Sequence, residues 1–273
     1  MISVELKQMR LNNWRQTAET HLVDESMAPA FIEQVGIATL YPTSSEIPNL
    51  FSAYVGDPEI KPDSGWSTPS GTIYTWRWTL GRQVVAFYTS LIRRRPTWVS
   101  WPLLPVVLRL WGAVQPVGEL YEDGKLSRDA HRIAQVLDEA EHPLSTGEIR
   151  RAANFPIGKP QRAAYLKAIA ELEDLLLLEK VFSPDDNEMR HALVCTRYPH
   201  IVTDAKKMIR EVALEQLLLT YLLHAVYIKP SLLAKHLRLP TEEVLTTLNR
   251  LEKANRVTLL VEAEKSSAIY IRK

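Results

Sequence analysis

Hydrophobic positions in the second half of the chain recur with a helical period, and they do so twice. Tyr165, Ile169 and Leu172 fall at i, i+4 and i+7, one face of a helix. Val244, Leu248 and Leu251 repeat that spacing further along the chain. A Glu follows each set (Glu173, Glu252), and then a β-prone stretch, Lys180-Val181-Phe182 in one copy and Arg256 through Val261 in the other. An upstream segment repeats too: Leu144-Ser145-Thr146-x-x-Ile149 aligns with Ile228-Lys229-Pro230-x-x-Leu233. Before it, Ile133, Val136 and Leu137 align with Leu218, Tyr221 and Leu222. The change of offset between the copies falls in Phe155-Pro156-Ile157-Gly158-Lys159-Pro160, a loop, where insertions belong.

Each copy therefore predicts helix, short helix, longer helix, strand, turn, strand. The turns are Ser183-Pro184-Asp185-Asp186-Asn187 and Glu264-Lys265-Ser266-Ser267. Ser145-x-x-Glu148 is a capping box, and Pro240-Thr241-Glu242-Glu243 predicts a hydroxyl cap with two acids at the start of the last helix. Three helices closed by a β-hairpin form a winged helix, a variant of the helix-turn-helix. The first part of the chain is different, for all seven Trp lie at or before Trp111. Gly118, Gly124 and Glu122-Asp123-Gly124-Lys125 predict a boundary loop over 118–127. The expected fold is mainly α with small β-hairpin wings: tandem winged-helix modules over 119–200 and 201–273, behind a Trp/Arg-rich N-terminal domain over 1–118.

Composition narrows the class. Of 273 residues 46% are hydrophobic and 24% charged, ordinary globular values that exclude wholesale disorder. The single Cys195 excludes an intrachain disulfide, and one Cys with seven scattered His has no zinc-finger spacing, so no metal or cofactor is expected. The opening MISVELKQMRLNN has no apolar signal core. The most hydrophobic stretch, Trp98 to Trp111, is broken by Pro102, Pro105 and Arg109, too short and interrupted to span a bilayer. A cytoplasmic, nucleoid-associated protein without membrane contact is the expectation.

Net charge is only +1, but it is distributed in blocks. Residues 1–63 carry −5, residues 64–118 carry +6 with six Arg and no acid, residues 119–200 carry −4 and residues 201–273 carry +4. Distribution, not total, bears on partners. Helix-turn-helix modules read DNA from the major groove, and phosphate neutralisation supplies most of their nonspecific affinity. In the first copy Arg150, Arg151, Lys159, Arg162 and Lys167 stand in a stretch without acid. In the second, Arg250, Lys253 and Arg256 are balanced by Glu242, Glu243 and Glu252. DNA contact is therefore expected on the first copy, with Lys265 in the second hairpin turn. The leucines Leu214, Leu217, Leu218, Leu219, Leu222 and Leu223 of the second exceed one narrow stripe and suggest packing or a homodimer surface. Six Trp and the run Arg93-Arg94-Arg95 also lie between Gly65 and Trp111 without any carboxylate. The rings read either as stacking surfaces for unpaired bases or as core; the arginines read either as a phosphate patch or as partners of the acids in residues 1–63. There is no G-x-S-x-G, Walker loop or dinucleotide glycine fingerprint.

Three segments in order resemble the AlkZ-related (YcaQ-like) winged-helix family: Phe31-Ile32-Glu33-Gln34-Val35-Gly36-Ile37-Ala38-Thr39-Leu40-Tyr41-Pro42, then Leu91-Ile92-Arg93-Arg94-Arg95-Pro96-Thr97-Trp98-Val99-Ser100, then Tyr121 through Ser127 running into Pro143 to Arg150. The resemblance implies tandem winged helices, double-stranded or damaged DNA as partner, and metal-independent glycosylase chemistry that removes alkylated bases and unhooks interstrand crosslinks. The family's catalytic signature, Gln-x-Gln or Gln-x-Asp, follows a Leu-Gly-like turn. Here Val35-Gly36 occupies that turn and Thr39-Leu40-Tyr41 stands at the signature, so neither signature residue is present. The family's additional C-terminal β-domain is expected to be missing. The expectation is a DNA-binding relative of crosslink-repair glycosylases, with base excision left open by the missing signature. The alternatives are an active glycosylase with altered residues and a winged-helix regulator or adaptor.

Overall fold

The computed structural model describes residues 2–155, 158–261 and 268–272. Up to Trp111 the chain alternates short helices with three strands: α1 (Val4–Asn13), α2 (Ala28–Val35), β1 (Ile37–Thr39), α3 (Leu50–Val55), α4 (Pro69–Arg82), β2 (Phe87–Ile92), β3 (Arg95–Val99) and α5 (Leu104–Trp111). Gly36 makes the first turn. It ends α2 at φ +75°, a conformation that a Cβ disfavours, and sends the chain straight into β1. The sheet is antiparallel in the order β1-β3-β2, with Ile37 opposite Val99 and Thr39 opposite Thr97. Between Ile92 and its partner Arg95 the hairpin turns on two residues, Arg93 and Arg94, at φ +50° and +56°.

Most of the tryptophans belong to the core. Trp14, Trp76 and Trp98 are buried with Phe31, Phe51 and Tyr88, while Trp78, Trp101 and Trp111 are half-buried. Trp66 is the exception, 77% exposed. Burying large rings is the strongest hydrophobic contribution a half this rich in loops has available.

A linker follows. The loop expected over 118–127 contains a short helix, α6 (Val117–Glu122), because Leu120 is drawn into the core of the next unit. The turn itself starts only at Asp123, with Gly124 at φ +69°. The first repeat is α7 (Arg128–Asp138), α8 (Thr146–Ala152), α9 (Lys159–Asp174), β4 (Leu178–Phe182) and β5 (Met189–Leu193). Leu144 pairs with His191 beside the β4–β5 hairpin. Ser145 and Glu148 form both halves of the capping box at the start of α8. The hydrophobic core of this unit runs from Leu120 to Leu193 and, among the described residues, is flanked only by those between Ala113 and Cys195.

The hairpin of this repeat docks on the N-terminal half. Phe182 inserts among Trp78, Tyr88 and Trp98, with ring centroids at 5.3, 5.1 and 6.2 Å. Gly81 on α4 leaves the room, since a Cβ there would lie 2.2 Å from the Phe182 ring. Arg82 holds the turn by donating to the Ser183 and Asp186 carbonyls and to the Asn187 side chain.

Two helices, α10 (Val194–Arg197) and α11 (Pro199–Lys207), lead to the second repeat: α12 (Arg210–Ala225), β6 (Tyr227–Ile228), α13 (Pro230–Leu237), α14 (Thr241–Lys253), β7 (Val257–Val261) and β8 (Ile269–Arg272). Its sheet order is β6-β8-β7, and the Ile228–Tyr270 pairing matches the Leu144–His191 pairing of the first repeat. The hydroxyl cap expected at Thr241 does not form. Pro240 supplies the extended entry residue, so Thr241 is already the first helical position and its hydroxyl comes one residue too late.

The second repeat has no separate core. Leu214, Leu217, Leu218 and Leu222 of α12 pack in one cluster with Ile37, Phe87, Val99, Leu104, Val107 and Leu108 of the N-terminal half. Leu219 is partly buried against the same cluster and Leu223 is exposed. A buried ion pair adds to this union. Arg10 of α1 reaches Glu46 at 3.1 Å, donates to the Ala225 and Tyr227 carbonyls, and stacks 3.4 Å from the Tyr227 ring centroid. Among the described residues no helix is long and apolar enough to cross a membrane, and no three His, Cys, Asp or Glu are grouped to hold a metal ion.

Candidate nucleic-acid interface

The β2–β3 turn places two arginines at an exposed tip of the N-terminal sheet. Positive φ at both central residues is the requirement of a type I′ hairpin, which Asn and Gly meet easily and Arg does not. Holding a non-glycine residue there costs about 1–2 kcal/mol. Backbone strain of this kind is worth reading for function where it is observed. Arg93 donates to the Thr43 carbonyl at 3.3 Å, and Arg94 pairs with Asp174 at the C-terminal end of α9. The acid that meets the arginine run thus comes from the first repeat, not from residues 1–63. Among the described residues, no carboxylate lies within ion-pair distance of Arg93 or Arg95.

The second repeat supplies further cations to this spot. Arg238, just past α13 at φ +53°, donates to the Leu91 carbonyl at 3.2 Å and lies 4.0 Å from Asp174. Lys235 is exposed one turn earlier. The buried His236 imidazole is held below its ordinary value, first by burial and then by the charges of Arg93 and Lys235, so it adds no proton of its own at neutral pH. Arg93, Arg94 and Arg238 therefore come together at one tip that Asp174 only partly neutralises, with the exposed Arg95 and Lys235 next to them along the chain. Nothing local in the sequence marks Arg238 for this place, because the segment it contacts belongs to the other half of the chain.

The other basic residues form a separate group. Arg151, Lys159, Arg162 and Lys167 are exposed on α8 and α9, with no ion pair among the described residues. Arg150 is half-buried, its guanidinium 5.9 Å from the Tyr165 ring centroid. At about 1.5 Å per residue, Arg162 lies roughly 18 Å along α9 from Asp174, so this face and the arginine hairpin are two patches on one helix axis. Lys265 lies outside the described residues, as do Pro156 and Ile157 of the loop before α9.

The Thr39–Tyr41 segment runs beside the arginine hairpin, with the Leu40 amide donating to the Pro96 carbonyl. Thr39 is fully buried, and its hydroxyl donates to the Tyr41 carbonyl at 2.8 Å. That closes the turn and leaves the hydroxyl sealed from solvent. Tyr41 donates to the Ser70 carbonyl at 2.8 Å and packs on Phe51. Burial pushes its phenol above the ordinary value while the Arg77 guanidinium pulls the other way, so the ring stays neutral.

Tyr41 also lines a shallow cavity of about 280 Å³ with Asp63, Trp66 and Tyr74. Trp66 stands edge-on to Tyr74, centroids 5.5 Å apart at 89°. The loop carrying Trp66 is tied down: Asp63 accepts from the Thr68 hydroxyl and the Gly65 amide, and the Ser70 hydroxyl accepts from the Asp63 amide. The Thr68 hydrogen bond, above all, holds the Asp63 carboxyl below its ordinary value. Asp63-Ser64-Gly65 is a turn signal, yet its aromatic neighbours come from other elements. A larger cavity of about 530 Å³ lies at the linker, lined by Gln115, His131, Cys195 and Lys206 and by none of the residues above.

With this geometry in place, the class is a mainly helical, AlkZ-like fold with small antiparallel sheets. The chain belongs to the AlkZ-related family, whose model matches residues 24–192, from the turn before α2 through β5. It is similar in structure to the DNA glycosylase AlkZ of Streptomyces sahachiroi, with a TM-score of 0.55 and 11% sequence identity over 97% of this chain and 70% of that one. At that identity the likeness concerns the fold. None of the curated proteins matches the chain.

Proposed function

We propose that this AlkZ-related, glycosylase-like protein is a tandem winged-helix DNA-binding protein, with units over 1–118, 119–200 and 201–273, whose Thr39–Tyr41 segment is structural rather than catalytic. Both repeats have the helix and hairpin order of that module. The observation that carries the reading is the strained hairpin at Arg93-Arg94, where Arg238 from a distant part of the chain joins the two arginines and, among the described residues, a single acid, Asp174, pairs with them. Arginine is suited to this, since its planar fork meets phosphate oxygens two at a time. The α8–α9 face with Arg151, Lys159, Arg162 and Lys167 is the second contact, about 18 Å away. That distance is about five base-pair steps at about 3.4 Å of duplex axis each, within the length of one short DNA site. Base excision is not part of the reading, because Thr39 and Tyr41 offer no carboxylate and the Thr39 hydroxyl is already bonded within the turn.

The test is a salt titration of duplex DNA binding. Arg93→Gly keeps the turn, because Gly adopts positive φ freely, and removes one cation. Affinity is expected to fall and the slope of log K against log salt to flatten by about 1, with the melting temperature unchanged or raised. Arg162→Ala with Lys167→Ala is expected to flatten the slope by about 2. Absence of binding at low salt, or slopes unaffected by either variant, overturns the proposal.

A further inference from the structure

Trp66 is an anomaly. A ring this large is normally buried, yet it is 77% exposed on a loop pinned by the hydrogen bonds around Asp63 and Thr68. Gly71 lets that loop lie directly on α4, since a Cβ there would come within 2.0 Å of the Trp66 carbonyl. The ring is thus held in position with a face open to solvent, beside the cavity it lines with Tyr41, Asp63 and Tyr74.

We infer that Trp66, Tyr74, Tyr41 and Asp63 form a subsite for one unpaired base of the DNA strand that the arginine hairpin holds. This rests on the DNA-binding reading above and names what else that interface takes. The aromatic walls offer stacking that every base can use. The cavity of about 280 Å³ is below the roughly 300–1,000 Å³ typical of sites for drug-sized ligands, so it takes a single ring system. The ionised Asp63 can only accept hydrogen bonds, so it selects a ring edge that carries an amino group, as adenine, cytosine and guanine do. Thymine presents one ring N–H between two carbonyl oxygens, which the carboxylate repels. An organic cation fits less well, because the Arg77 guanidinium already lies 4.2 Å from the Tyr74 ring centroid.

The position agrees with the backbone path. Tyr41 lines the subsite, and two residues on the Thr43 carbonyl accepts from Arg93 of the hairpin. Two extended residues span at most about 7 Å, so the backbone that lines the subsite and the backbone that Arg93 grips are neighbouring parts of one segment.

The experiment compares an intact duplex with the same duplex carrying a single bulged adenine or thymine. Wild type is expected to bind the adenine bulge roughly 10-fold more tightly than the intact duplex, in the range of one stacked base. Trp66→Ala should remove that gain and leave intact-duplex affinity and its salt slope unchanged; the exposed position makes this variant safe for the fold. Asp63→Asn should bring adenine and thymine bulges to the same affinity. A wild type that binds the intact duplex but gains nothing from a bulge, or a Trp66→Ala variant that keeps the gain, overturns the subsite alone. A wild type that binds none of the three overturns the DNA-binding reading as well.

Discussion

The two repeats have the same element order and opposite situations. The first closes its own core, from Leu120 to Leu193, and touches the N-terminal half through Phe182 and the Arg82 contacts at its hairpin, through the Arg94–Asp174 and Lys180–Ser90 pairs, and through Leu176. The second shares its core with residues 37–110 and shows ion pairs, Arg210–Glu243 at 3.3 Å and Arg250–Glu215 at 3.0 Å, between α12 and α14. The difference lies in one helix. In α7 the buried residues Ala130, Ile133, Ala134 and Leu137 form a single stripe, which elements of the same unit, α6, α8, α9 and β5, cover. In α12 the apolar surface extends around the helix, from Leu214 and Leu217 through Leu218 and Leu219 to Leu222, and needs cover on two sides. The N-terminal half provides the second side. Here the repeated motif remains a self-contained module where the apolar stripe of its first helix is narrow, and merges into its neighbour where that stripe is broad enough to need cover on two sides.

Core truncations test this most severely. Leu172→Ala and Leu218→Ala remove side chains that are both fully buried and should each cost about 2–5 kcal/mol. Hydrogen exchange should separate them. Leu172→Ala is expected to lose amide protection over 120–193 only, and Leu218→Ala over both 201–272 and 37–110. Loss spreading across the whole chain in both variants would break the comparison.

Acid gives the next largest effect. His191, opposite Leu144 in the first repeat, is pushed down to about 4 by burial and by the neighbouring Lys180 charge. Unfolded, it titrates near 6.5. Between about pH 6.5 and 4 the unfolded chain therefore binds the extra proton, so stability is full above that window and falls as pH drops through it, by about 3 kcal/mol in all. The matching position of the second repeat holds Tyr270, so no imidazole stands there. Melting curves between pH 7 and 4.5 should show the first repeat loosening first, and His191→Leu should flatten that dependence. Equal acid sensitivity of the two repeats would count against the assignment.

The smallest contrast concerns helix starts. Ser145→Ala breaks a complete capping box and should cost about 1 kcal/mol, whereas Thr241→Ala, where no hydroxyl cap forms, should cost less than about 0.5 kcal/mol. Thermal melts of the two variants give the comparison directly.

The helical stripe at Tyr165, Ile169 and Leu172, its copy at Val244, Leu248 and Leu251, the Ser145 box and the Gly36 turn were all legible in the chain. Each depends on residues within one or two helical turns of each other. The interface was legible only in pieces. The arginine run stood out by its lack of nearby acid, but Asp174, the partner of Arg94, and the fellow cation Arg238 come from the first and second repeats, far along the chain. The Trp-rich block could be read as core or as binding surface because composition does not tell a buried ring from an exposed one, and six of seven Trp are in fact at least half-buried.

Periodicity, capping and charge blocks are properties of neighbouring residues, and local sterics and hydrogen bonding determine them before the chain has any global shape. The exposure of Trp66, the merging of α12 with the N-terminal sheet and the meeting of Arg93 with Arg238 depend on which distant surfaces cover one another. That is decided by the total apolar area the whole chain can bury, a quantity no local window contains.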